Sequence, residues 1–369
     1  MGVDGIENFF EKVITVKLST ERDCVNIIDQ TLLPGQIKRI NLGTEEEIWE
    51  AIKKLRVRGA PAIGVCAAIG LAVLANKISA DDFEGFYSEF KRIKEYLASS
   101  RPTAVNLFWA LNRMDRKVLE LQNSSVSDIK EKLFEEALVI QAEDIQISRS
   151  IGEYGFELMK KMKKEGRELG ILTHCNAGTL ATAKYGTALA PVYTALEHGW
   201  KGTDIHVYCD ETRPLLQGAR LSAFELSESG VVTTLQCDNM ASMLMKQGKI
   251  DMVFVGTDRV AANGDVANKI GTSGVAILAN YYGIPFYVCA PSSTVDLQTM
   301  TGADIPIEMR DKSEVSELWY RERMAPDGID IFNPAFDVTD HELVTAIITE
   351  KGIVAEPYEK SLRGILQET

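Results

Sequence analysis

Residues 251–258 read DMVFVGTD: four apolar residues, Met252 to Val255, run into Gly256-Thr257-Asp258. Four more β-rich runs of strand length lie in the same half of the chain: GILTHC at 170–175, DIHVYCDE at 204–211, VVTTLQCD at 231–238 and IPFYVCAP at 284–291. Helical segments separate them. Such alternation is the signature of a parallel sheet covered by helices on both faces. The fold class is therefore α/β, with a Rossmann-like catalytic domain expected over residues 147–369.

Working outward, the charged stretch KKMKKEGREL (160–169) precedes the first of these runs, and helical signals dominate before it. They include the Ala-rich PAIGVCAAIGLAVLANK, DDFEGFYSEFKRIKEYLASS and a long run from Ala104 to Leu121. Thr44 followed by Glu47 makes a capping box ahead of EIWEAIKKL. The first 45 residues hold VITVKL, CVNIID and QIKRINL, β-branched runs between turn formers such as Leu33-Pro34-Gly35, which predict a small antiparallel sheet. A smaller, mostly helical N-terminal domain carrying this sheet is expected over residues 1–146.

A chain of 369 residues is long enough for two cores, and 45% hydrophobic with 25% charged residues is ordinary globular usage. The net charge of -13 disfavours nucleic acid as a partner, because no unselective basic surface is available for phosphate backbones. Six scattered cysteines with no C-x-x-C pair argue against a zinc site or a disulfide scaffold and fit a reducing compartment. The opening MGVDGIENFFEKV has neither a basic n-region nor an apolar h-region, and no run of about 18 apolar residues occurs. A cytoplasmic protein with no membrane span is expected.

In open parallel sheets, ligands bind beyond the carboxyl ends of the strands. That rule selects Cys175, followed by Asn176-Ala177-Gly178, where backbone amides at a helix start suit an anion; the alternative is a cysteine packed as a small hydrophobe in a plain turn. A Cys175–His174 dyad is disfavoured, since adjacent strand residues point to opposite faces. Asp210 and Arg213 at the next strand end are either site residues or a structural ion pair, and Gln217 suits a ligand better than a core. Asp258, at the end of an apolar strand, is placed for a general acid whose pKa burial would raise. Asn268 and Lys269 precede Gly271-Thr272-Ser273-Gly274, a small-residue helix start where Lys269 reaches a phosphate; a solvated lysine is the plainer reading. In the N-terminal half, Arg58-Gly59-Ala60 and Arg101-Pro102-Thr103-Ala104 each put a cation before a helix, as phosphate clamps or as surface turns.

RGAPAIGV, RPTAVNL, THCNAGTLAT, DETRPLLQGARLSAFEL and GTDRVAANGDVANKIGT resemble the motifs of the 5-methylthioribose-1-phosphate isomerase family, in the expected order over residues 20–345. The Rossmann-like core is also shared with regulatory subunits of the translation initiation exchange factor and with ribose-1,5-bisphosphate isomerase, the alternatives carried forward. The resemblance implies conversion of an aldose 1-phosphate to a ketose 1-phosphate in methionine salvage, with 5-deoxyribose 1-phosphate as a further substrate. It implies Asp258 as proton donor, Cys175 as stabiliser of the reacting centre, and Arg58, Gly59, Ala60, Arg101, Gln217, Asn268 and Lys269 as substrate ligands. No metal or organic cofactor and a homodimeric assembly are also implied. Thr257 stands where Ala is expected, and Ser222 and Phe224 replace Thr and Trp, departures that bear on pocket shape.

Overall fold

The computed structural model describes residues 8–102 and 104–367. The first seven residues, part of the opening read above for leader features, and Thr103 of the RPTAVNL motif lie outside the described residues. The chain forms two compact units: one made of Phe10–Arg149 with Gly178–Gly186, the other of Ser150–Ala177 with the chain from Thr187 onward.

In the first unit, strands Val16–Leu18, Val25–Ile28 and Arg39–Leu42 pair antiparallel, Ile27 lying opposite both Val16 and Ile40. The capping box forms as read: Thr44 accepts the Glu47 amide and the Glu47 carboxylate accepts the Thr44 amide. The helix Ala60–Asn76 is the centre of this core, with every residue from Ala62 to Ala75 buried. A helix apolar on all sides is stable only when enclosed, and its alanines and glycines let neighbours approach closely. Gly70 meets Ile48, and Gly64 meets the first turn of the helix Val105–Glu120, where an added Cβ would stand 3.0 Å from the Asn106 carbonyl.

The second unit is built on a seven-stranded sheet. Its order is Gly352–Val354, Ala346–Thr349, Phe286–Cys289, Met252–Val255, Leu169–Thr173, Ile205–Asp210 and Val232–Gln236. Every pairing is parallel except that of the first two. The five strands predicted from sequence are five of its six parallel strands, and the α/β reading of the fold agrees with it. Leu169–Thr173, first of the seven in the chain, lies third from one edge; successive strands then build outward on one side through Val232–Gln236, and afterwards on the other from Met252–Val255. The order therefore reverses between Leu169–Thr173 and Met252–Val255, which makes that edge the topological switch point.

Beside it lies a four-stranded sheet, Val295–Asp296, Arg259–Ala261, Val266–Lys269 and Phe336–Thr339. Its centre is a hairpin pairing Arg259 with Ala267 and Val260 with Val266 around Asn263-Gly264, where Gly264 has φ +95°. This hairpin was not among the elements read from the sequence.

Candidate active site

The strand ending at Thr173 turns abruptly. His174 and Cys175 are both buried, and Cys175 has φ +67°, a left-handed conformation that costs a non-glycine residue of order 1 kcal/mol. It is held there from both sides. The Cys175 amide donates to Thr212 Oγ1 at 2.8 Å, and Ser222 Oγ donates to the Cys175 carbonyl at 2.7 Å. Asn176 donates its side-chain amide to Ser222 Oγ and to the buried Glu225 carboxylate. Thr212, itself at φ +63°, is anchored by donating to the Asp210 carbonyl and by its own amide on Asp238. Ser222 reaches Cys175 because Gly218–Ser222 is wound as a π-helical turn, a local widening that recurs at functional sites. No spacing rule in the sequence pairs Thr212 or Ser222 with Cys175; the contacts arise only when neighbouring strand ends meet.

His174 is not a partner for the thiol. Its Nδ1 faces Asp210 Oδ2 at 3.0 Å and its Nε2 faces the Ile270 carbonyl at 2.8 Å. Burial pulls the imidazole pKa down, and the Asp210 carboxyl opposite more than offsets this, so the ring titrates above the ordinary histidine value. Burial pushes Asp210 up, against its bonds from His174 and Gln236. Asp210 and Arg213 do not form the ion pair weighed from sequence: the Arg213 guanidinium donates to the Val315 and Pro214 carbonyls and lies over the Tyr320 ring. Ligand atoms of His174, Asp210 and Asp238 lie within 4.8 Å of one another, close enough to hold a cation. They are engaged in hydrogen bonds instead, Asp238 accepting the Thr212 and Arg213 amides.

Asp258 follows the strand on the other side of the switch point. It is half-buried, and its amide donates to the Ala267 carbonyl across the hairpin. The two strand-end loops touch: a Cβ on Gly256 would stand 2.8 Å from that of Ala177. Cys175 and Asp258 thus lie on adjoining loops at the carboxyl ends of the two strands flanking the reversal. At the head of the π-helical turn, Gln217 is buried and its Oε1 has no hydrogen-bond partner among the described residues. An orphaned buried acceptor costs about 1–3 kcal/mol, which a ligand hydroxyl would recover.

Asn268 donates to Thr272 Oγ1, and Thr272 donates to the Lys269 carbonyl. The Lys269 ammonium donates to the Ala335 carbonyl and sits 4.5 Å from the Phe336 ring centroid. One expectation needs correcting here. The amides of Gly271 and Ser273, read as an anion site, are taken by the Asp337 carboxylate at 2.8 and 3.2 Å, so an acidic side chain caps the helix Thr272–Tyr282.

In the first unit, Gly59 at φ +88° opens the helix Ala60–Asn76. The Gly64–Asn106 contact lies one turn into that helix and at the first turn of Val105–Glu120, so both helix starts, with Arg58 and Arg101 just ahead of them, gather at one end of the pair. Two positive helix ends and two cations make that end suited to an anion.

The profile described as the initiation factor 2 subunit family matches residues 56–356. A methylthioribose-1-phosphate isomerase from Symbiobacterium thermophilum is 57% identical over 357 residues, 97% of either chain. A 5-deoxyribose 1-phosphate isomerase from Petrotoga mobilis is 55% identical over 355 residues, 96% of this chain and 99% of the relative. Among solved structures, 5-methylthioribose 1-phosphate isomerase from Pyrococcus horikoshii OT3 aligns with a TM-score of 0.89 at 42% identity over 100% of both chains. The chain belongs to the initiation factor 2 subunit family and is similar over nearly its whole length to methylthioribose-1-phosphate isomerases.

Proposed function

We propose that the chain is an aldose–ketose isomerase that converts 5-methylthioribose 1-phosphate to 5-methylthioribulose 1-phosphate. The observation that carries this reading is the placement of Cys175 and Asp258 on adjoining loops at the topological switch point, where open α/β sheets bind ligands. The names of the relatives, at more than half identity over nearly the whole chain, support the same substrate class.

The chemistry has a particular obstacle. The anomeric carbon carries a phosphate ester, so no free aldehyde forms on ring opening. Asp258 donates a proton to the ring oxygen as the bond from that oxygen to C1 breaks. A hydrogen then passes from C2 to C1, either directly as hydride or as a proton through an enediol, and the C2 hydroxyl gives up its proton as the carbonyl forms. One proton enters at the ring oxygen and one leaves from the C2 hydroxyl, so no external oxidant or base is consumed. Cys175, buried and fixed through its backbone, stabilises the reacting carbons. Gln217 and Asn268 hold sugar hydroxyls and Lys269 the phosphate, and the family resemblance adds Arg58, Gly59, Ala60 and Arg101 as substrate ligands.

5-Deoxyribose 1-phosphate is a second substrate on this reading, favoured by the Petrotoga relative and by the weak discrimination an apolar pocket exerts against loss of one apolar group. We infer further that the protein works in the cytoplasm as a homodimer; six free cysteines and the family resemblance support this, and the mass in dilute solution tests the dimer. The activity is tested by incubating the purified protein with 5-methylthioribose 1-phosphate, 5-deoxyribose 1-phosphate and ribose 1,5-bisphosphate. Turnover of the first two, abolished by Cys175→Ser, is expected. Preference for the bisphosphate, or no turnover at all, would overturn the reading.

A further inference from the structure

His174 is fully enclosed yet belongs to none of the roles above, and its two ring nitrogens connect separate parts of the site. On one side stands Asp210, whose other oxygen accepts the Gln236 side-chain amide at 2.7 Å. On the other stands the Ile270 carbonyl, in the turn that follows Asn268 and Lys269. The fit is close: a Cβ on Gly271, which has φ +104°, would stand 2.7 Å from His174 Cε1, so only glycine lets the turn approach the ring. The turn is tied to the site residues by Thr272, which bonds both Asn268 and the Lys269 carbonyl.

Proton placement follows from the partners. A carbonyl only accepts, so His174 Nε2 must carry hydrogen. Nδ1 either donates to the Asp210 carboxylate or accepts from the protonated carboxyl, and the Nε2 bond survives either way. The useful property is therefore directional, not a charge.

We propose that His174 is a positioning residue for the phosphate end of the site: its Nε2–H holds the Ile270 turn, and with it Lys269, in register with the strand end that carries Cys175. The partner Asp210 sets the ring's orientation and its tautomer. This rests on the reading of Lys269 as a phosphate ligand.

Three near-isosteric changes separate the two ring contacts. In His174→Gln the amide nitrogen falls where Nε2 was and still reaches Ile270. In His174→Asn it falls where Nδ1 was and reaches only Asp210. In Asp210→Asn the amide offers its NH2 to Nδ1 and its oxygen to Gln236, which keeps hydrogen on Nε2. Steady-state kinetics on 5-methylthioribose 1-phosphate, with inorganic phosphate as a competitive probe, compare these with wild type and Lys269→Ala. His174→Asn should raise KM and the phosphate inhibition constant about tenfold, with kcat changed less than about threefold, while His174→Gln and Asp210→Asn stay within about threefold throughout. Equal shifts in His174→Asn and His174→Gln overturn the proposal. So does a kcat loss beyond about tenfold in Asp210→Asn, a test that stands even if His174→Asn does not fold. An unchanged KM in Lys269→Ala removes the reading beneath the proposal, whereas a raised one with His174→Asn unaffected overturns the proposal alone.

Discussion

Two helix starts look alike in the sequence and differ in the folded chain. Ala60–Asn76 and Thr272–Tyr282 each follow a glycine of positive φ, with a cation one or two residues ahead of it, Arg58 or Lys269. The second has its amides closed by Asp337, which reaches Gly271 and Ser273 from a strand 66 and 64 residues away. At the first, the N-cap is Gly59, which has no side chain of its own to close the turn. An anion at a helix start is worth up to ~2 kcal/mol when partly buried, and at Thr272 the protein's own carboxylate already collects that interaction. Small residues before a helix locate amide donors; a distant acid decides whether those donors remain for a ligand.

On the proposed reading, the second start serves only through the Lys269 side chain, and the chemistry lies at the strand ends. Removing the chemistry while sparing both starts should give the largest effect. Asp258→Asn is expected to lower kcat by about 10²–10⁴-fold, with KM within a few-fold of wild type. A comparable rise in KM would show Asp258 to be a binding group and would dissolve the separation. Next in size, Arg58→Ala should raise KM and weaken inhibition by inorganic phosphate by about 10–100-fold, as loss of a charge-assisted contact does. Asp337→Asn should leave phosphate inhibition within about twofold of wild type and cost about 1 kcal/mol in denaturant unfolding, the scale of a lost cap. If Asp337→Asn instead tightened phosphate binding tenfold or so, the second start would be the anion site and Asp337 its gate.

What the sequence made legible follows the range of the forces involved. The capping box at Thr44 and Glu47, the first small sheet and the five parallel strands depend on residues close in the chain, and each formed where it was read. The hairpin at 259–269 was not read, although Asn263-Gly264 is a strong hairpin signal. The strands Ala346–Thr349 and Gly352–Val354 at the sheet's far edge were not read individually either. In the site, the residue types at strand ends drew attention to Cys175 and Asp258, whose two loops the fold brings together. The left-handed turn at Cys175, its anchors Thr212 and Ser222, and the Asp337 cap were not legible, since each contact is between residues dozens of positions apart and is selected by tertiary packing alone.

The smallest effect sharpens the comparison at the first helix start. Gly59 there lies against the backbone of Ala181, and two residues on the Ala183 amide donates to the Asp144 carboxylate, so this carboxyl braces the segment that Gly59 packs against. Burial pushes Asp144 up to about 7, only partly opposed by that amide. The folded chain therefore holds this proton more tightly than the unfolded one, whose carboxyl titrates near the ordinary value. The stabilisation is complete below about pH 4 and is lost as pH rises through about 7. Asp144→Asn keeps an acceptor for Ala183 without the charge. It should match wild type at about pH 4 and exceed it at pH 8 by about 1 kcal/mol, or roughly 1–2 °C in Tm, a modest figure because part of the side chain stays in water. A variant less stable than wild type at pH 8 would mean that the charged carboxylate strengthens its bond to Ala183 by more than its burial costs, and that this start, too, is organised around an anion of the protein's own.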